Sequence, residues 1–118
     1  MKLAGAITLL GLSAVAQAKP VETWECQQYS YENWSNILVV ATVHEGRRTG
    51  EITVAGVTHF SLFEVEGFDR RWDFGNKENP VRFAFIIQPN GAAKYFDFGD
   101  GGSAKPSNLM HCRQRRSK

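Results

Sequence analysis

After residue 18 the chain has no apolar period of 3.6, and its apolar positions alternate with polar ones in stretches rich in β-branched and aromatic residues. That period-two pattern marks half-buried strands. "TWECQQYSY" (23–31) opens the series, and "NILVVATVH" (36–44) is a nearly continuous apolar run, as expected of a central strand. "EGRRTGE" (45–51) predicts a turn and "EITVAG" (51–56) returns from it, so 36–55 reads as a hairpin. "VTHFSLFEVEG" (57–67) predicts a longer strand whose apolar phase slips, with Phe60 and Leu62 on one face and Phe63 and Val65 on the other. Such a slip predicts a bulge or a change of partner sheet. "FDRRWDFG" (68–75) follows, then a loop, "NKENP" (76–80). "VRFAFIIQ" (81–88), "PNG" (89–91) and "AAKYFDF" (92–98) form the clearest hairpin, with Asn-Gly supplying the positive φ angles of a tight turn. "GDGGSAKPSN" (99–108) reads as a loop and "LMHCRQ" (109–114) as a last short strand.

Sequential strands with short turns favour an antiparallel meander. The expected fold is therefore all-β: a single antiparallel meander of about eight strands, closed as a small barrel or folded as a sandwich. Two stretches look alike, "RRWDFG" (70–75) and "KYFDFG" (94–99). Alternation places Trp72 and Phe74 on an inner face with Arg71 and Asp73 outside, and by the same reading Phe96 and Phe98 inside with Tyr95 and Asp97 outside. Glycine then ends each strand. With Phe60, Phe63, Phe83 and Phe85 these rings predict a filled interior.

The first residues change the picture of location. Met1-Lys2 gives a basic start, "LAGAITLLGLSAVA" an apolar run, and "AQA" (16–18) the small residues of a cleavage site. These are the parts of a secretory signal peptide over 1–18, leaving one β domain over 19–118 in the periplasm or outside the cell. The apolar run is shorter than the roughly 20 residues a membrane span needs. In an oxidising compartment the only two cysteines, Cys26 and Cys112, read as a disulfide that ties the two ends of the domain and favours closure. Formal net charge is +2, with 14 Lys+Arg against 12 Asp+Glu, so no acidic partner is implied by bulk charge. The cations gather locally in "CRQRRSK" (112–118), a short basic tail (113–118) able to touch an anionic membrane surface.

Candidate chemistry is sparse. His44, His59 and His111 fall on three different strands without zinc-like spacing, so no metal or other cofactor is expected. No Ser-His-Asp order or glycine-flanked nucleophile occurs. The acids Glu64, Glu66, Asp69 and Asp73 read as solvated strand-face residues rather than a glycosidase pair. Nearly balanced charge and export argue against nucleic acid. Arg70 and Arg71 stand out, because adjacent strand residues point to opposite faces. Arg70 shares the face of Trp72 and Phe74 and so sits at a barrel mouth or needs a buried partner, for which Glu64 or Glu66 is in cross-strand reach. Either guanidinium suits an anionic partner. The long loop offers Ser103 and Lys105 as further contacts. The expected binding residues are thus Arg70, Arg71, Ser103 and Lys105, with no catalytic set.

The "WEC" start at 24–26 and the "HC" ending at 111–112 give a layout that resembles the small periplasmic inhibitors of c-type lysozyme. The resemblance implies a β-barrel tied by a disulfide between its terminal regions, which acts by inserting a loop into an enzyme's cleft. It assigns no inhibitory residue. The expectation is an exported non-enzymatic binding protein whose partner is another protein, specifically a cell-wall-active enzyme. Alternatives are a small-ligand or lipid carrier using the interior, and an accessory subunit of an envelope assembly adding an edge strand to a partner.

Overall fold

A computed structural model describes residues 19–30, 33–99 and 107–116. The signal-peptide expectation for 1–18 and the contacts expected of Ser103 and Lys105 lie outside those residues. All regular structure among the described residues is β. The strands are β1 (Pro20–Gln27), β2 (Tyr29–Ser30), β3 (Asn33–Trp34), β4 (Val39–His44), β5 (Thr49–Val54), β6 (Val57–Glu66), β7 (Asp69–Phe74), β8 (Phe83–Ile87), β9 (Ala92–Asp97) and β10 (Ser107–Gln114). Eight of them close an antiparallel barrel in the order β1-β10-β9-β8-β7-β6-β5-β4, while β2 and β3 pair separately. The barrel is the closed form of the expected meander. Cys26 and Cys112 face each other across β1 and β10 and are joined by a disulfide spanning 86 residues of chain. Closing so long a loop stabilises by roughly 4–5 kcal/mol in the chain-entropy model.

One inward phase runs round the barrel. It comprises Trp24 and Cys26 on β1, Val39, Ala41 and Val43 on β4, Ile52 on β5, Phe63 on β6, Trp72 and Phe74 on β7, Phe85 and Ile87 on β8, Ala93 on β9 and Met110 and Cys112 on β10. Partly buried Val54, Phe83 and Tyr95 pack against this set. The interior is aromatic-filled: the Trp72 ring lies 5.0 Å from Phe63 and 6.2 Å from Phe85, and Phe74 lies 5.3 Å from Phe83. Trp72 is fully buried, and its indole Nε1 donates to the Thr42 carbonyl oxygen at 2.8 Å, so its polar atom is satisfied.

Several expectations are corrected. β1 starts at Pro20, not 23, and ends at Gln27; Tyr29–Ser30 belongs to the small separate sheet. The apolar run from 36 enters the barrel only at Val39, and Ile37 and Leu38 are exposed. β6 has no bulge: it pairs in unbroken register with β5 from Val57 to Leu62 and with β7 from Leu62 to Glu66. Its inner face is His59, Ser61 and Phe63, which leaves Phe60 and Leu62 on the outer wall, exposed. The apparent slip was an outer apolar pair read as inner. On β9 the inner residues are Ala93 and Tyr95, so Phe96 and Phe98 lie outside, stacked on each other at 6.0 Å with planes 2° apart. Phe60, Phe96 and Phe98 therefore do not fill the core. The last strand runs to Gln114, as the reading of 109–114 expects, and the Arg115 amide bonds the Thr23 carbonyl at 2.7 Å.

Candidate functional site

At the end of the barrel where β7 starts, a carboxylate sits inside. Glu22 follows the inward phase of β1 and is only 7% exposed. Its Oε1 accepts from Trp24 Nε1 at 2.9 Å and from Arg70 Nε at 2.7 Å. Its Oε2 accepts from Arg70 Nη2 at 3.0 Å and Arg47 Nη1 at 2.8 Å. The Arg70 guanidinium also lies 4.9 Å over the Trp24 ring, a cation–π contact. Burial pushes the Glu22 carboxyl upward, but the hydrogen bonds from Arg70, Trp24 and Arg47 outweigh it and bring its pKa down to about 2.

Arg70 thus occupies the mouth of the barrel with a buried partner, and that partner is Glu22 rather than Glu64 or Glu66. Glu22 lies 48 residues away in sequence, and only barrel closure brings it across. Arg71 points outward, as alternation required. Its Nε bonds Asp73 at 3.1 Å and its Nη1 reaches Glu66 at 3.3 Å. Both guanidinium groups are engaged by carboxylates of the same chain. They act on the architecture by tying β7 to β1, to the β4–β5 turn through Arg47, and to the end of β6. The strand ends flanking the loop of Ser103 and Lys105, Asp97 and Ser107, belong to the other end of the barrel, where β7 finishes.

What these ties hold in place is the β6–β7 turn. β5 covers β6 only as far as Leu62, and beyond it Glu64, Val65 and Glu66 pair with β7 alone. The hairpin therefore extends past its β5 neighbour. Its two-residue turn places Gly67 at a φ of +67°, a conformation open to glycine, and sets Phe68 at the apex. Phe68 is 85% exposed and Val65 56%. Exposed Arg48 stands on the neighbouring turn, whose carbonyl accepts from the Phe63 amide at 2.9 Å. The site is a hairpin tip with one bare aromatic ring between Glu66 and Asp69, and with Arg47 and Arg48 on the neighbouring turn. Arg70 and Arg71, the residues singled out from the sequence, lie at this end of the barrel; Glu22 and Phe68 were not singled out. The available signal was "EGFD" (66–69), a glycine-first turn followed by an aromatic between acids. Among the described residues no three His, Cys, Asp or Glu side chains gather as a metal site.

Comparison with protein-family models, with curated proteins and with solved structures finds no match to the chain.

Proposed function

We propose that the protein is an exported, non-enzymatic binding protein that docks on another protein through the β6–β7 tip. The observation that carries this reading is Phe68, a phenyl ring held in solvent on a turn whose strand ends are tied by the Glu22–Arg70–Arg47 and Arg71–Glu66–Asp73 ion pairs. A pre-organised aromatic anchor with charged neighbours is the composition of an interface hot spot. The disulfide suits an oxidising, exported location. A side-chain-filled interior argues against a small-ligand carrier, and closure of the barrel leaves short edges, such as β6 beyond Leu62, for strand addition to a partner.

In its narrower form the partner is a cell-wall-active glycosidase, whose cleft would take the tip as a plug. Support for this is the layout, a closed barrel whose first and last strands share a disulfide. The test is turnover of peptidoglycan by a c-type lysozyme in the presence of the purified protein. Inhibition by wild type that Phe68→Ala weakens at least about tenfold is the expected result. Full lysozyme activity at a large excess of inhibitor would sink the narrower form, and equal potency of folded Phe68→Ala would sink the tip.

A further inference from the structure

A second surface lies on the outer wall where β1 meets β10, away from the Phe68 tip. Register sets Glu25 opposite Arg113 and Gln27 opposite His111. Trp34, Ser35 and Ile37, from the connection between β1 and β4, lie along this seam. Ser35 pins the connection there: its amide donates to the Gln28 carbonyl at 2.9 Å, its hydroxyl accepts from the Gln28 amide at 3.0 Å, and its carbonyl accepts from Gln27 Nε2 at 2.8 Å. Trp34 is thereby held beside the wall, with its ring edge-on to His111 at 5.9 Å, and it remains 52% exposed.

Two hollows open here. One, of about 390 Å³, is lined by Gln27, Trp34, His111 and Arg113. The other, of about 370 Å³, is lined by Glu25, Gln27, Ile37, Arg113, Gln114 and Arg116. They share Gln27 and Arg113 and so lie side by side along the seam, as a two-part groove. Glu25, the only acid among the described residues that line it, is already bonded by Arg115. Arg113 and Arg116 are exposed and make no ion pair among the described residues.

We propose that this groove binds an acidic polysaccharide, a linear chain of sugars bearing carboxylates. Arg113 and Arg116 supply guanidinium forks that match carboxylates. Trp34 offers a flat apolar face for the C–H face of a pyranose, and the amides of Gln27 and Gln114 match ring hydroxyls. A floor of amides and arginine does not suit an acyl chain. Single-stranded nucleic acid is held by successive stacking platforms, whereas among the described side chains the groove presents one indole.

The protein carries its own reporter. Trp24 and Trp72 are 9% and 0% exposed, so quenching by neutral acrylamide reads Trp34. Titration with a hexamer of galacturonic acid at low salt should protect that indole saturably. Arg113→Ala with Arg116→Ala, both exposed and outside the core, should weaken binding at least about tenfold, as should full methyl esterification of the hexamer. Trp34→Ala should do the same by calorimetry, and Phe68→Ala should leave affinity unchanged, which separates this surface from the tip. Equal affinity for the esterified hexamer, or no protection at millimolar hexamer, would overturn the proposal. Tighter binding of an oligothymidylate of the same charge would also overturn it, in favour of nucleic acid.

Discussion

"RRWDFG" and "KYFDFG" have the same order of basic, aromatic, acidic, aromatic and glycine residues, yet the barrel uses them in opposite phase. In the first, Trp72 and Phe74 are buried and Asp73 lies outside on Arg71. In the second, Phe96 and Phe98 lie outside, Tyr95 packs on the core, and Asp97 takes the inward phase at the barrel end, where Arg82 Nε donates to it at 3.0 Å. The cause is one turn. A two-residue Asn90-Gly91 turn would pair Phe85 with Phe96 and Phe83 with Phe98, which puts both rings inside. The chain instead forms a three-residue loop: the Gly91 amide bonds the Gln88 carbonyl at 2.8 Å, the Gln88 amide bonds the Ala92 carbonyl at 2.8 Å, and Phe85 faces Tyr95. A one-residue shift of register moves every side chain to the other face. Strand phase is therefore a property of the turn, and composition alone does not set it.

The largest expected effect tests that contrast directly. Trp72→Ala removes a fully buried indole and its bond to Thr42, and it should destabilise by roughly 3–5 kcal/mol in denaturant unfolding. Phe96→Ala, at the matching place in the second stretch, removes a part-buried ring that stacks on Phe98 on the outer wall. It should change stability by about 1 kcal/mol or less. Comparable losses in the two variants would mean that β9 is in the other phase.

Next comes the contrast between the two acids that meet arginine at opposite ends of the barrel. Glu22 is buried among three donor side chains, and its pKa near 2 lies below its ordinary 4.5. Asp97 is also held below its usual range, first by Arg82 and then by the Gly99 amide, but at the surface. A depressed carboxyl stabilises the fold above its unfolded pKa, and this stability is lost as pH falls through the folded value. Between about pH 5 and pH 2 the wild type should therefore lose roughly 2–3 kcal/mol through Glu22. Glu22→Gln should lose a similar amount at pH 7 and show a flatter acid limb, whereas Asp97→Asn should leave the limb nearly as it is. An unchanged limb in Glu22→Gln would place the acid sensitivity elsewhere.

These contrasts show what was legible. Strand number, order and the disulfide follow from local alternation, turn residues and two cysteines. What escaped depends on relations between distant strands. Glu22 looked like any polar residue before "TWEC", because its arginines arrive only when β1 closes against β4 and β10. Phe60 and Leu62 looked like core because exposed and buried apolar residues are identical in sequence. The phase of β9 was in principle readable from Pro89. In a two-residue turn that proline would flank the turn on the ladder without an N–H to give, while in the three-residue loop it takes the second turn position, which favours its fixed φ.

The smallest effect probes that turn. Gly91 adopts a φ of +93°, where a Cβ is strained, and a Cβ built there would lie 2.7 Å from the Cys112 carbonyl oxygen and 2.8 Å from His111 Nε2. The Gly91 carbonyl also accepts from the Cys112 amide at 2.7 Å, so the turn and the disulfide strand are locked together. Gly91→Ala should destabilise by about 1–2 kcal/mol, because non-glycine residues resist the left-handed region and the β10 backbone must shift to admit the methyl. The native phase of β9 should survive, since Tyr95 and Ala93 remain packed on Phe83, Phe85 and Ile87. Proton NMR contacts between Phe85 and Tyr95 would show that phase retained. Contacts between Phe85 and Phe96 in their place would mean that the loop glycine, and not the packing of Tyr95, holds the register. A loss well under 0.5 kcal/mol would mean that the loop relaxes freely and that the turn does not set the phase at all.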